Sequence, residues 1–508
     1  MKYTPTREMS RIFRFADERR SFVVEAKAGA GKTSTVAQVI RRVVSATNPV
    51  LYLVFNVHNI ADAKEKLRGI EHVTITNVHK LAFANLGIKY KDKIGDMNFP
   101  AYAELIGSKD SNLVSSVRKT INNFITSSDA TINSRHAPSI GRSYNSTCKT
   151  SRVVDHARRI WSRMLDVDDK LAKMPHDGYL HQFCTTNIGL RVLSQFPTVI
   201  VDESQDQNET SIALEKAYLF ENSQHQLIKV GDEHQALYRF RNAVNANARY
   251  RDTLPFLPLS KSWRFGEEVA ALSQQILTLK GTPRTDKIYG NEQTHTAILP
   301  PGSRLSGPRV VLHRTAAGVV RTAIALLAKG VRFNVMGGIN NYITQDLRWY
   351  EQLRQGKTVG IPVYFIRNVP NWQKVEELAK NHEDPDITRV VKIFELCQAN
   401  RINSIQELIS RIEGQESDCD SKAITLSTVH RYKGSEADQV ILSNDFRTLD
   451  KLALLNNEEL VDEINTLYVA VTRARKRLVL DETTQQIMNG KGIMRQKKAR
   501  NSNRYCAR

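Results

Sequence analysis

The stretch AKAGAGKTS, residues 26 to 34, brings two glycines, two lysines and two hydroxyl residues into one short run. Phosphate oxygens are held by backbone N–H groups that approach closely, by the positive end of a helix and by an ammonium group. The pattern GxxxxGK[ST] between a strand and a helix supplies all three. Here Gly31, Lys32 and Thr33 close the pattern, Ala28, Gly29, Ala30 and Ser34 complete the loop, and Ala26 stands where the first glycine is usual. Lys32 is expected to reach the β- and γ-phosphates of a nucleoside triphosphate, and the Thr33 hydroxyl to ligate Mg²⁺. A phosphate loop of this kind needs a carboxylate pair at the end of a second strand, and TVIVDESQDQN provides one. Asp202 suits the magnesium ion, held through water, and Glu203 suits the general base that activates the attacking water. A lone GKT or a lone DE dipeptide is weak; together, each behind a β-type run, they point to triphosphate hydrolysis.

Parallel strands must carry these groups. Residues 22–24, 51–55, 73–76, 198–201 and 227–230 are short apolar or β-branched runs, several followed by helix-compatible stretches, which reads as a series of βα units. A second series has strand-like runs at 308–313, 332–337, 423–428, 438–443 and 477–481. Two polar stretches with helical spacing interrupt them, one at 87–190 and one at 345–420. The expected fold class is α/β, with two halves that each carry a mostly helical insertion.

The chain has 508 residues, with Lys+Arg 73 against Asp+Glu 53 and a formal charge of +20. That excess attracts polyanions, and nucleic acid is the expected partner. Cys148, Cys184, Cys397, Cys419 and Cys506 are widely spaced with no CxxC pair, so neither a zinc ribbon nor a disulfide framework is expected. The first residues lack the apolar core of a signal peptide, and no window approaches the ~18 apolar residues of a membrane span. A soluble intracellular protein is expected, cytoplasmic or nuclear, without a membrane partner.

DESQD together with VGDEHQALYRFRNA (230–243) resembles motifs II and III of superfamily 1 helicases of the UvrD/Rep type. In the same order, FNVHNIADAKEKL (55–67) resembles motif Ia, TNVHKLAF (76–83) Ib, KSWRFGEEV (261–269) IV, STVHRYKGSEADQVIL (427–442) V and LYVAVTRAR (467–475) VI. HDGYLHQF (176–183), the FN start of Ia and VHRYKG are closest in pattern to the F-box DNA helicases. The resemblance spans residues 1 to about 485. It implies two RecA-like motor domains with parallel sheets that share one nucleotide, ATP with Mg²⁺, and move 3′ to 5′ along single-stranded DNA.

The domains it implies are 1–86 and 191–256 as motor domain 1A, interrupted by 87–190 as insertion 1B. Residues 257–344 and 421–485 are motor domain 2A, interrupted by 345–420 as a short 2B, and 486–508 form a basic tail. Residue by residue, Arg264 and Arg473 match the arginine fingers, and Gln235 the glutamine that senses the γ-phosphate beside Asp232. Trp263 matches the aromatic that stacks on the base, and Glu436 the glutamate at the sugar. Phe55, Asn56, His79, Tyr238, Phe240 and His430 match positions that face the strand, and Arg241 either positions a backbone phosphate or braces its motif. There are departures. Arg7 stands where the family's adenine-reading glutamine belongs, Val57 where motif Ia has lysine, and Lys80 where a small hydroxyl residue follows the histidine. The implied function is an ATP-dependent DNA helicase of replication, recombination or repair, acting on single-stranded and tailed duplex DNA. The alternatives are a translocase that strips bound proteins and a passive nucleic-acid binder.

Overall fold

The computed structural model describes residues 4–55, 57–108, 110–138, 149–237, 246–281, 287–361, 365–366, 369–380, 385–416 and 424–493. Asn56, Tyr238, Phe240, Arg241 and the tail beyond 493 lie outside the described residues. The chain divides into two compact units, Met1–Ser260 and Lys261–Arg508.

The first unit is built on a six-stranded sheet of β1 (Phe22–Ala26), β2 (Val50–Leu53), β3 (Val73–Thr76), β4 (Thr198–Val201), β5 (Gln226–Gly231) and β6 (Phe256–Leu259), in the order β3-β2-β4-β5-β1-β6. Every pairing is parallel. Alternate residues face opposite sides, and both sides are covered. Val23, Leu51, Val199 and Leu227 enter one core, while Phe22, Val24, Tyr52, Ile200 and Ile228 enter the other. Double burial is why these strands read as continuous apolar runs rather than alternating ones.

β6 was not among the expected strands, and it carries the first unit past the expected boundary at 256 to Ser260. Its sequence, FLPL, holds Pro258, which reads as a strand breaker. β6 is an edge strand, where a missing N–H is tolerated.

Between β3 and β4 the described residues form helices, including Phe99–Ile106, Ser111–Ile125, Thr150–Leu165 and His176–Thr185. Their apolar faces share one core with the sheet: Val117, Phe124, Ile160 and Phe183 lie in the same cluster as Val23 and Val199.

The second unit has its own six-stranded parallel sheet, of β7 (Ala297–Leu299), β8 (Arg309–His313), β9 (Phe333–Val335), β10 (Ile424–Thr428), β11 (Ala437–Leu442) and β12 (Ala474–Val479), in the order β7-β12-β11-β8-β10-β9. β7 is the other unexpected strand; three residues before a Pro-Pro pair give too little pattern to read. The helices Gln345–Arg354, Trp372–Lys380, Pro385–Ala399 and Ile405–Glu416 fall between β9 and β10. They do not form a core of their own: Leu347, Tyr350, Ile393 and Ile409 pack with Phe333 and Leu426 of the sheet.

Candidate functional site

In the first unit the phosphate loop joins the C-terminal end of β1 to the helix Lys32–Val43. Gly29 and Gly31 have φ of 72° and 80°, a region where any other L residue is strained. Gly31 is also the residue that caps the helix, and no side chain caps it instead. Unshielded N–H groups and the helix dipole at this terminus suit an anion.

Lys32 points to the end of β4, where its Nζ lies 2.7 Å from Glu203 Oε1. Burial works against the lysine's charge, but Glu203, Asp232 and Asp202 together outweigh it and hold its pKa above the ordinary value. Asp202 is 6% exposed. It accepts hydrogen bonds from the Tyr52 hydroxyl (2.8 Å) and the Glu203 N–H (2.9 Å). Burial, and then the adjacent Glu203 charge, push the Asp202 carboxyl above the usual carboxylate range, against the pull of Lys32.

The end of β5 completes the cluster. Asp232 accepts from the Gln235 side chain (2.7 Å) and the His234 N–H (3.1 Å), and both Asp232 and Gln235 are buried. Lys32, Asp202, Glu203, Asp232 and Gln235 are therefore gathered at the C-terminal ends of strands of one parallel sheet, where open α/β sheets bind ligands. The donor set fits a magnesium–triphosphate group: a loop of positive-φ glycines, an uncapped helix start, an ammonium, and two carboxylates whose mutual repulsion a divalent cation would relieve. Thr33 and Ser34 open the same helix.

Two residues here escaped the reading of the sequence. Tyr52 reaches Asp202 across 150 positions, with burial foremost in keeping its hydroxyl protonated as a donor. Gln205 donates to Glu203 Oε2 (2.6 Å) and accepts from the Asp232 N–H (3.0 Å). It stands inside DESQD, so its type and place were visible, but its partners were not.

Of the residues expected at the DNA strand, Phe55 and His79 lie on that sheet edge. Phe55 follows the end of β2, partly exposed. His79 follows β3, in the helix Val78–Asn85, whose N-terminus is capped by the Asn77 side chain accepting from Lys80 N–H at 2.8 Å. His79 Nε2 is 3.0 Å from Asp177 Oδ1, at the start of the helix His176–Thr185.

In the second unit Arg264, Glu436 and Arg473 come together. Arg264 Nε donates to Glu436 Oε2 at 2.5 Å, and its Nη1 to the Thr472 carbonyl at 3.1 Å. Arg473 is 1% exposed. It donates from Nε to the Val469 carbonyl (2.9 Å), from Nη1 to the Ser435 carbonyl (3.3 Å) and from Nη2 to Thr472 Oγ1 (3.1 Å).

Arg475, not singled out in the sequence, joins them at 3.4 Å from Glu436 Oε1. Burial would raise the Glu436 pKa, but Arg264, Arg475 and Arg473 bring it below the ordinary value. Trp263 is 46% exposed beside Arg264, with Lys261 Nζ 5.5 Å from its ring centroid. His430 lies elsewhere, in the short helix Val429–Tyr432 directly after β10.

Fold and site thus define a P-loop protein of two α/β units with parallel, RecA-like sheets. Residues 190–485 match the UvrD-like helicase C-terminal domain, and residues 56–252 match the UvrD/REP helicase N-terminal domain. The chain belongs to the UvrD-like helicase family. Among curated proteins it is similar to F-box DNA helicase protein 1 of Schizosaccharomyces pombe, 27% identical over 500 residues that cover 91% of this chain and 55% of that protein. It is also similar to F-box DNA helicase 1 of Gallus gallus, 28% identical over 527 residues that cover 95% of this chain and 49% of that protein. The chain spans about half the length of these relatives. No helix among the described residues is long and apolar enough to cross a membrane.

Proposed function

We propose that the protein is an ATP-dependent DNA helicase that translocates 3′ to 5′ on single-stranded DNA and opens tailed duplexes during replication, recombination or repair. The observation that carries this reading is the Lys32–Glu203 pair, 2.7 Å apart at the C-terminal edge of a parallel sheet, with Asp202 and Gln235 on the same edge. A soluble protein in a compartment that holds DNA follows from it. Residues 1–86 and 191–256 serve as motor domain 1A around insertion 1B, and 257–344 and 421–485 as 2A around a short 2B.

The loop from Ala28 to Ser34 binds the triphosphate with its backbone, and Trp263 and Glu436 hold the base and sugar. A magnesium ion held by Thr33 directly and by Asp202 through water would neutralise β- and γ-phosphate oxygens. Lys32 then exchanges Glu203 for the phosphate, which releases one oxygen of the carboxylate. Glu203 takes a proton from a water molecule as that water's oxygen bonds to the γ-phosphorus and the bond to the ADP oxygen breaks. Arg264 and Arg473 stabilise the charge that spreads over the γ-oxygens in the transition state. Gln235 senses the γ-phosphate, and Phe55, Asn56, His79, Tyr238, Phe240, Arg241 and His430 grip the strand. Base stacking contributes roughly 1–3 kcal/mol per nucleotide without reading sequence.

The test is unwinding of duplexes that carry a 3′ or a 5′ single-stranded tail, with ATP and magnesium. Opening from the 3′ tail is expected, and Lys32→Ala should abolish it. Opening only from a 5′ tail would refute the assigned direction, and strand-stimulated ATP hydrolysis without opening would favour a translocase that strips bound proteins.

A further inference from the structure

Glu203 is held from two sides. Lys32 pairs with Oε1, and the Gln205 amide nitrogen donates to Oε2 at 2.6 Å and reaches Asp206 Oδ2 at 3.4 Å. The other end of the same amide accepts the Asp232 N–H at 3.0 Å. Its orientation is forced, because a carboxylate can only accept and a backbone N–H can only donate. Gln205 is fully buried, so water does not compete for either bond.

The backbone is shaped around this contact twice. Glu203 sits at φ 50°, a strained conformation for a residue with a side chain. At the end of β5, Gly231 leaves the room that Gln205 fills: a Cβ there would lie 2.4 Å from Gln205 Oε1 and 2.8 Å from Ser204 Oγ.

We infer that Gln205 is a positioning residue: it keeps Glu203 aimed once Lys32 has moved to the phosphate, and it links the displacement of Glu203 to the Asp232–Gln235 turn. This rests on the hydrolytic role of Glu203 proposed above. Lys32 is a flexible side chain that a phosphate can draw away, whereas Gln205 is wedged between two strand ends and stays. The same amide ties the base to the backbone of the turn that carries Gln235. A change at the γ-phosphate therefore has a short route from the end of β4 to the end of β5, two hydrogen bonds through one side chain.

Two full-length variants test the inference, Gln205→Met and Gly231→Ala. The first keeps the volume and removes both hydrogen bonds. The second keeps every polar side chain and pushes Gln205 out of place, so it carries the test even if the first variant does not fold. A misaimed base costs on the order of 100-fold in rate. In each folded variant, kcat for ATP hydrolysis on saturating single-stranded oligothymidine should fall about 30- to 100-fold. KM for ATP should stay within about threefold, and the ratio of turnover with and without the strand should drop toward one.

A kcat within twofold of wild type in either variant would overturn the inference. So would a fall in kcat matched by an equal loss of affinity for a fluorescent ATP analogue, which marks a structural defect alone. Absence of strand-stimulated hydrolysis in the wild-type protein would instead overturn the proposed function, and Lys32→Ala measured alongside separates the two outcomes.

Discussion

The two units place the charged groups expected at the nucleotide at opposite edges of similar sheets. In the first, Lys32, Asp202 and Asp232 follow the C-terminal ends of β1, β4 and β5, and Phe55 and His79 follow β2 and β3 on the same edge. In the second, Glu436 and Arg473 immediately precede β11 and β12, at the N-terminal edge, while His430 follows β10 at the C-terminal edge. Ligands of open α/β sheets bind at C-terminal strand ends, where loops and helix N-termini converge. The first unit is thus equipped to bind a triphosphate, with an anion cradle and its own counter-charges. The second has arginines braced by Glu436 and by backbone carbonyls, a set suited to supplying positive charge rather than to holding a phosphate. Within this sheet His430 and Arg473 therefore lie at opposite ends of parallel strands.

Breaking the second unit's set should therefore cost rate and leave binding. Arg264→Ala is expected to lower kcat for ATP hydrolysis by about 10³-fold, the low end for an arginine finger, with affinity for a fluorescent ATP analogue within about threefold. A parallel collapse of affinity would erase the distinction between the units. Arg264 suits this test better than Arg473, whose burial makes its removal a folding problem as well.

Glu203→Gln in the first unit should lower kcat by roughly 10²- to 10³-fold while nucleotide binding holds or tightens, since Lys32 loses the partner that competes with phosphate. Unchanged turnover would remove Glu203 from the chemistry. Trp263→Ala should raise KM for ATP about tenfold with little change in kcat, the worth of one lost stack. An effect on kcat alone would assign the tryptophan to the arginine set instead.

The smallest expected effect is on stability. The Asp202 carboxyl is raised by burial and by Glu203, so folding favours its protonated form, and that favourable contribution is lost as pH rises through the folded pKa. Above that pKa the charged Asp202 carboxylate costs the fold stability. Asp202→Asn should raise the melting temperature of the nucleotide-free protein by roughly 2 to 4 °C, about 1 kcal/mol, while hydrolysis is lost. A lower melting temperature would show that the ionised pair with Lys32 is net stabilising.

What could be read from the sequence was local. The phosphate loop and the DE pair are short patterns tied to strand ends, and ten of the twelve strands among the described residues stood out as apolar or β-branched runs. β6 hid behind Pro258 and β7 behind its length. The helices of 345–416 looked like a separate insertion because an amphipathic helix shows an apolar face but not what covers it; the cover is the sheet that carries Phe333 and Leu426. Tyr52 on Asp202, Gln205 on Asp232 and Arg475 on Glu436 are contacts across 150, 27 and 39 positions, set by strand order rather than by any spacing.

The central claim is that one triphosphate site drives movement along a single strand. It is tested most directly by the steady-state ATP turnover of the full chain with and without saturating single-stranded DNA, beside Lys32→Ala. The account predicts at least tenfold stimulation by the strand in the wild-type protein and no measurable turnover in the variant. Turnover that ignores the strand, or that survives the loss of Lys32, would contradict it.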